Sequence, residues 1–411
     1  MPQANVSVSN PRGLMLAAGA ILLVNMGARQ SLGLFVAPLN EHTGIGLAEI
    51  SFAFAVSQLV WGAVQPLYGA VADRYGTFPL ICLGAVLVAL GTGLTPFVHR
   101  SPALVLCLGV IAAAGAGAGS FSILIGWIAQ HLPEKRRAFA AGFINAGSSL
   151  GQFLFAPLTQ YLINHVGWTS ALLILAASAL LAIPLAALLD RYTRAAVAAR
   201  PVVAAISLRS QLAIAFRDRN YFFLQLGFFT CGFHIGFLVT HLPGEVALCS
   251  LSAQVSANSL ALIGLFNIAG SLGAGVLCQR VRMKFVLSAM YASRAWIIIA
   301  FLVAPKTPLV FYLLAASLGL TWLATVPPTA GLVGKLFGPR HLATLFGLAL
   351  LTHQVGGFFG AWLGGISRSR FGDYSWMWLA DIALALFAAA INLPIREARV
   401  ARLAAGPLAA D

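Results

Sequence analysis

Apolar residues recur along this chain in twelve runs, at roughly 13–37, 50–72, 78–98, 103–130, 138–164, 168–189, 221–243, 254–277, 285–304, 308–333, 342–366 and 375–395. Each is close to the ~20 residues that a helix needs to cross a hydrocarbon core. Polar and basic residues collect between the runs. In lipid, backbone amides must be paired within their own segment, so the runs predict helices rather than open strands. The first run, from Gly13, is too long for the apolar part of a cleaved leader, and 221–243 repeats it, so a retained helix is predicted. Between the sixth and seventh runs, residues 190–220 carry six arginines. The predicted division is therefore a first six-helix unit over 1–189, a linker over 190–220 and a second unit over 221–411. Ala195 to Leu212 mixes apolar and basic residues, as either an interfacial helix or a solvated connector would.

The two units repeat each other. At a shift of 205 positions Gly27 falls on Gly232, Arg29 on His234, Pro38 on Pro243, Gly142 on Gly347, Ser148 on His353 and Gly151 on Gly356. At 206, Gly69 falls on Gly275 and Arg74 on Arg280. A duplicated apolar chain predicts an all-α membrane protein of twelve transmembrane helices in two pseudo-symmetric six-helix bundles, with a site between the repeats. Small residues such as Gly115, Gly117 and Gly119 in the fourth run, or Gly147 and Gly151 in the fifth, allow close helix approach.

Composition agrees: 60% of residues are hydrophobic and only 9% charged, against roughly 25% charged in a soluble domain. The net charge of +14 is not a nucleic-acid footprint, because of where it lies. With the N-terminus inside, inner segments hold 19 Lys and Arg and outer loops hold four, Arg100, Lys306, Arg368 and Arg370. That bias predicts both termini in the cytoplasm of a bacterial inner membrane and basic contacts with anionic lipid. The five cysteines have no metal or redox spacing.

The segment Gly69-Ala-Val-Ala-Asp73-Arg74-Tyr-Gly76 after the second run resembles the signature loop of the major facilitator superfamily. Gly275 to Arg282 is similar to its degenerate second copy, and Pro133 to Arg137 before the fifth run fits as well. Within that superfamily, the stretch from Gly27 to Phe35 resembles bacterial members of the monocarboxylate and oxalate–formate branch. The resemblance implies secondary transport by alternating access, with Asp73, Arg74 and Arg280 as gating residues. Thr77 and Phe78 stand where basic residues usually follow, which implies a weaker latch. The branch's lysine in the eleventh span is matched by His353, and its arginine in the eighth by neutral Asn267 and Ser271. A single carboxylate therefore suits the chain better than a doubly charged ligand.

Few polar residues lie inside the runs. Arg29 is a candidate clamp for a carboxylate, which its guanidinium can grip by two parallel bonds. Asn25, one turn earlier, shares its face. His234 and His353 are either packing residues or proton carriers, since an imidazole titrates near neutrality. Asn145, Ser149 and Gln152 share a face of the fifth run; with Asn267, Ser122 and Thr325 they are expected to complete the cavity, and Trp322, Phe266 and Phe233 to wall it. Arg294 and Asp381 are expected to form a structural ion pair, with proton coupling as the alternative. No Walker loop, catalytic triad or metal cluster occurs, and no cofactor is expected. The expected partners are a small organic anion, protons and lipid, and the expected working unit is a monomer. Proton-coupled carboxylate transport leads; cationic-compound export, anion exchange and a non-transporting sensor are the alternatives.

Overall fold

Local chemistry sets where the spans start and stop. The Asp218 carboxylate accepts the Tyr221 amide at 2.9 Å and so opens the seventh helix. The Thr307 hydroxyl accepts Val310 N–H at 3.4 Å, with Pro308 in the first turn, to open the tenth. Gly167 and Gly372 occupy equivalent turns before the sixth and twelfth helices at φ of +82° and +78°, where a side chain would be strained.

The computed structural model describes residues 11–131, 134–198, 208–338 and 342–400. Ten apolar segments in it are long enough to cross a membrane. One of them, Ala140–Tyr192, contains two spans, and the shorter Pro308–Gly319 is continued by Val326–Phe337, which makes twelve. In order these are Pro11–Thr43, Leu47–Tyr75, Phe78–Phe97, 101–131, Glu134–Val166, 168–198, Arg219–Leu248, Ala253–Arg280, Met283–Val303, 308–337, Leu342–Phe371 and Ser375–Asn392. Twelve helices in two pseudo-symmetric bundles are what the apolar pattern predicts.

The repeated glycines are the seams inside each bundle. A Cβ on Gly151 would strike the Leu23 carbonyl, and one on Gly27 would meet the Gly151 carbonyl at 2.9 Å, so the first and fifth helices touch through backbone. Gly232 and Gly356 do the same for the seventh and eleventh, against His353 and Phe229 carbonyls. Across the bundles the second helix packs on the eleventh and the fifth on the eighth.

The fourth and tenth helices are interrupted; the fourth run gives no sign of it, whereas Pro327 and Pro328 open the second piece of the tenth. The fourth breaks at Gly119–Ser120 and the tenth between Gly319 and Val326. Free carbonyls at membrane depth need donors. Asn25 Nδ2 donates to Ala116 O at 2.9 Å and Gly119 O at 3.2 Å. In the second bundle Arg294 donates to the Thr321 carbonyl and to Trp322 O at 2.7 Å, while Asn267 Oδ1 accepts Leu323 N–H at 2.9 Å.

One face gathers the linker and the chain's last described residues. Gln211, in the short helix Leu208–Ala215, donates to Phe337 O at 2.8 Å; Lys335 pairs with Glu397 at 3.0 Å. The rest of the expected interfacial segment, 199–207, lies outside the described residues, as do Pro133, Arg340 and Arg402.

Candidate functional site

Between the bundles lies a central cavity. The first helix contributes Met26, Arg29, Gln30 and Gly33, one helical face. The second contributes Phe54, Ser57, Gln58 and Trp61, again one face. From the second bundle come Gly232, Ile235, Gly236, Val239 and Thr240 of the seventh helix, Trp322, Leu323 and Val326 of the tenth, and Leu350, His353 and Gln354 of the eleventh. Charge is confined to one side: Arg29 is the one permanently charged residue in this lining.

Arg29 is held ready. Its Nη1 donates to Ser57 Oγ at 2.9 Å, its Nη2 to Gln58 Oε1 at 2.5 Å, and its guanidinium carbon lies 4.5 Å from the Trp61 ring centroid. All three partners are neutral, so the positive charge is neutralised by no carboxylate among the described residues. Opposite, Gln354 Nε2 donates to His353 Nδ1 at 2.8 Å, which leaves His353 Nε2 to carry the ring hydrogen. That atom has no partner in the structure, and neither do the indole nitrogens of Trp61 and Trp322.

A second hollow opens on the face away from the linker and shares Gly33 and Thr240 with the cavity. The floor between them is the first helix pressed on the seventh: a Cβ on Gly33 would run into the Val239 carbonyl. Tyr374 lines this vestibule at the mouth of the twelfth helix, and burial raises its phenol above the ordinary value. One thin constriction thus separates the cavity from that face.

Arg29, His353 and Trp322 are where the sequence pattern puts them; most other expected cavity residues are elsewhere. Asn25 faces into its own bundle and caps the broken fourth helix. Asn145 donates to Ser271 Oγ at 2.7 Å and Asn267 to Ser149 Oγ at 2.7 Å, a buried polar seam that ties the fifth helix to the eighth. Gln152 is buried beside that seam, next to Gly264. Ser122 donates to Gln65 Oε1 at 2.6 Å, and Thr325 Oγ1 lies 3.4 Å from Cys231 Sγ. Phe233 is buried against the eleventh helix, and Phe266 is 36% exposed on the outside. None of these lines the central cavity.

Two corrections concern charge. His234 turns away from the cavity, and its Nδ1 lies 2.5 Å from Asp381 Oδ2 of the twelfth helix. Arg294 consequently caps the tenth-helix break instead of pairing with Asp381. Of the expected gating residues, Asp73 and Arg74 close the second helix, with side chains outside the described residues, and Arg280 is exposed at the end of the eighth. Gln30, Ser57, Gln58 and Trp61 are absent from the sequence reading, although 54, 57, 58 and 61 carry the helical spacing of a polar-aromatic stripe.

A pocket between two pseudo-symmetric helical bundles is the arrangement of a membrane transporter. The sequence profile of the Major Facilitator Superfamily matches residues 18–361, and the chain belongs to that family. It is similar to Monocarboxylate transporter 13 of Bos taurus, at 24% identity over 85% of this chain and 80% of that one. It is also similar to Monocarboxylate transporter 11 of Homo sapiens, at 26% over 94% and 83%. The Oxalate:formate antiporter of Oxalobacter formigenes is 24% identical over 86% of this chain and 84% of its own.

Proposed function

We propose that the protein carries a monocarboxylate with an apolar body across the membrane, coupled to protons. The observation that carries this reading is Arg29, the one permanent charge in a cavity lined by neutral polar and apolar residues, with only neutral partners. A carboxylate displaces Ser57 and Gln58 from the guanidinium fork and leaves the neutral pocket electrically balanced. The rest of the ligand lies against Phe228, Ile235, Trp322 and Val326, which gain from burying apolar surface and offer nothing to a second carboxylate. Similarity to monocarboxylate transporters supports this substrate class. A cationic compound would meet Arg29 with repulsion.

Moving an anion alone against a membrane potential costs ~2.3 kcal/mol per 100 mV, and one proton per carboxylate removes that cost. His353 at the cavity and His234 behind it are the titratable candidates. Exchange without protons is the second reading, supported by the similarity to the oxalate:formate antiporter. Proteoliposomes loaded with pyruvate or phenylacetate separate the two. Proton-coupled transport predicts labelled uptake that grows as outside pH falls from about 7.5 to about 5.5. Uptake that needs internal substrate and ignores pH would establish exchange, and absence of uptake of every monocarboxylate tried would remove the substrate class.

A further inference from the structure

The second bundle buries a polar cluster that the substrate cavity does not use. His234 and Asp381 are 2% and 1% exposed, their ring and carboxylate meet at 2.5 Å, and His234 Nε2 has no partner. Directly beside them the tenth helix is broken, and Arg294, 1% exposed, holds the broken strand by the carbonyls of Thr321 and Trp322 and donates to Cys231 Sγ at 3.3 Å. Trp322 belongs to both places. Its indole lines the cavity and stands edge-on to the His234 ring at a centroid distance of 5.6 Å.

We propose that the His234–Asp381 pair is the proton-binding site of the transporter and that Trp322 is the element through which it senses substrate. The inference rests on the transport reading above.

Charge balance makes the pair suitable. With a proton bound, His234 and Asp381 form a buried neutral ion pair, and Arg294 is satisfied by carbonyls. When the proton leaves, Asp381 keeps its negative charge but is not stranded, because Arg294 is near enough to interact with it electrostatically. Both states are therefore compensated, which is the condition for a buried site to load and unload. The groups around His234 are Cys231 on its own helix, Arg294 and Tyr291 from the ninth, His353 from the eleventh and Asp381 from the twelfth. The first helix presents Arg29 to the shared cavity, and the eighth and tenth offer neutral Asn267, Thr321 and Thr325. His241 and Glu245, further along the seventh helix, stand by the vestibule and Lys306 respectively.

Coupling follows from the break. The segment between Gly319 and Val326 keeps only turn-type backbone bonds, such as Thr321 N–H to Leu318 O and Trp322 N–H to Gly319 O, and side chains hold its free carbonyls, so it can shift as a unit. A substrate body pressed on Trp322 moves that segment and its carbonyl grip on Arg294. Arg294 then approaches or leaves Asp381, and the pair releases or takes up its proton. No bond other than N–H and O–H changes.

Two measurements test this. In purified, substrate-free protein, infrared difference spectra between about pH 5 and about pH 8 should contain a carboxylate and an imidazole band. Both should vanish together in His234→Gln, and the carboxylate band should vanish in Asp381→Asn. Bands unchanged in both variants would overturn the proposal, whatever the protein transports. In proteoliposomes carrying a trapped pH dye, with pyruvate or phenylacetate as probe, the ratio of proton flux to substrate flux should fall by about tenfold or more in either variant. It should stay within about twofold of wild type in His353→Gln. A ratio that falls only in His353→Gln would place the proton at the cavity. Should Asp381→Asn fail to fold, the double variant His234→Asn with Asp381→Asn restores a neutral hydrogen-bonded pair and must show the same loss of ratio. Lack of transport of any monocarboxylate by the wild type, with the infrared bands present, would sink the substrate reading and leave the proton site standing.

Discussion

Arg29 carries the sharpest consequence. Its guanidinium makes two hydrogen bonds, to Ser57 at 2.9 Å and Gln58 at 2.5 Å. Binding a carboxylate exchanges two bonds with neutral acceptors for two with an ionised one. Both sets of bonds are donated by the charged guanidinium, and charge-assisted bonds span about 1.5–3 kcal/mol; moving from a neutral acceptor near the low end to an ionised one near the high end gains roughly 1–1.5 kcal/mol per exchange. Two exchanges give about 2–3 kcal/mol. Arg29→Ala should therefore weaken carboxylate binding by about 30- to 150-fold, at 1.4 kcal/mol per decade. Arg29→Lys keeps the charge and one bond, so the loss should be about 5- to 10-fold. Titration calorimetry with phenylacetate or pyruvate on detergent-purified protein reads both numbers, with thermal midpoints to show that the variants are folded. A well-folded Arg29→Ala protein whose affinity lies within about twofold of wild type would refute the clamp.

Three further outcomes are expected. Asn25→Val strands the carbonyls of Ala116 and Gly119 at the fourth-helix break and should cost about 1–3 kcal/mol of stability, seen as a lower thermal midpoint with KM for substrate unchanged. Gly232→Ala places a methyl against the His353 carbonyl and should cost at least about 1–3 kcal/mol, whereas Gly273→Ala, with nothing within 4 Å, should be silent; equal yields of folded protein from both would contradict the seam. Because 19 of the basic residues fall in inner segments, a cysteine engineered at residue 205 should resist an impermeant maleimide in whole cells, and brisk labelling there would reverse the orientation.

Helix number and the seams inside each bundle are readable in the chain, for physical reasons. Lipid forces long apolar runs, and backbone contact forces glycine at Gly27, Gly151, Gly232 and Gly356. Depth is readable too, which is why Arg29 and His353 stand near the cavity as expected. Direction around a helix axis is the weak point. The cavity face of the first helix, 26, 29, 30 and 33, recurs on the seventh as 232, 235, 236 and 239, a shift of 206. The glycine seam repeats at 205. One residue is 100° of helix, enough to turn His234 from the cavity to Asp381. The same limit applies to Asn25, Asn145 and Asn267: side chains that look like a lining from depth alone are the donors and acceptors that broken helices and bundle contacts consume. The fourth-helix break leaves only Gly119 and Ser120, which are common in unbroken spans as well, whereas Pro327 and Pro328 mark where the tenth restarts.

That single residue of offset also explains how a duplicated scaffold comes to grip an asymmetric ligand. In the cavity the true counterpart of Arg29 is Ile235, so one repeat presents a cation where the other presents a methyl-rich surface. On the proposed clamp, a molecule charged at one end and apolar at the other would be held in one orientation, with its carboxylate on the first bundle throughout the transport cycle. With one proton per carboxylate, Asp381 offsets Arg29 in the empty form and both forms carry the same net charge; where no proton rides along, the empty carrier holds an unpaired positive charge and the loaded one none. In that second case an imposed potential acts on the empty carrier's reorientation at up to ~2.3 kcal/mol per 100 mV, scaled by the fraction of the field that Arg29 traverses, and leaves the loaded step untouched. Substrate-for-substrate exchange, which uses only the loaded step, is therefore insensitive to voltage, while net transport is slowed in one direction. Monocarboxylate carriers and anion exchangers can thus share this cavity, and what separates them is how the empty form returns.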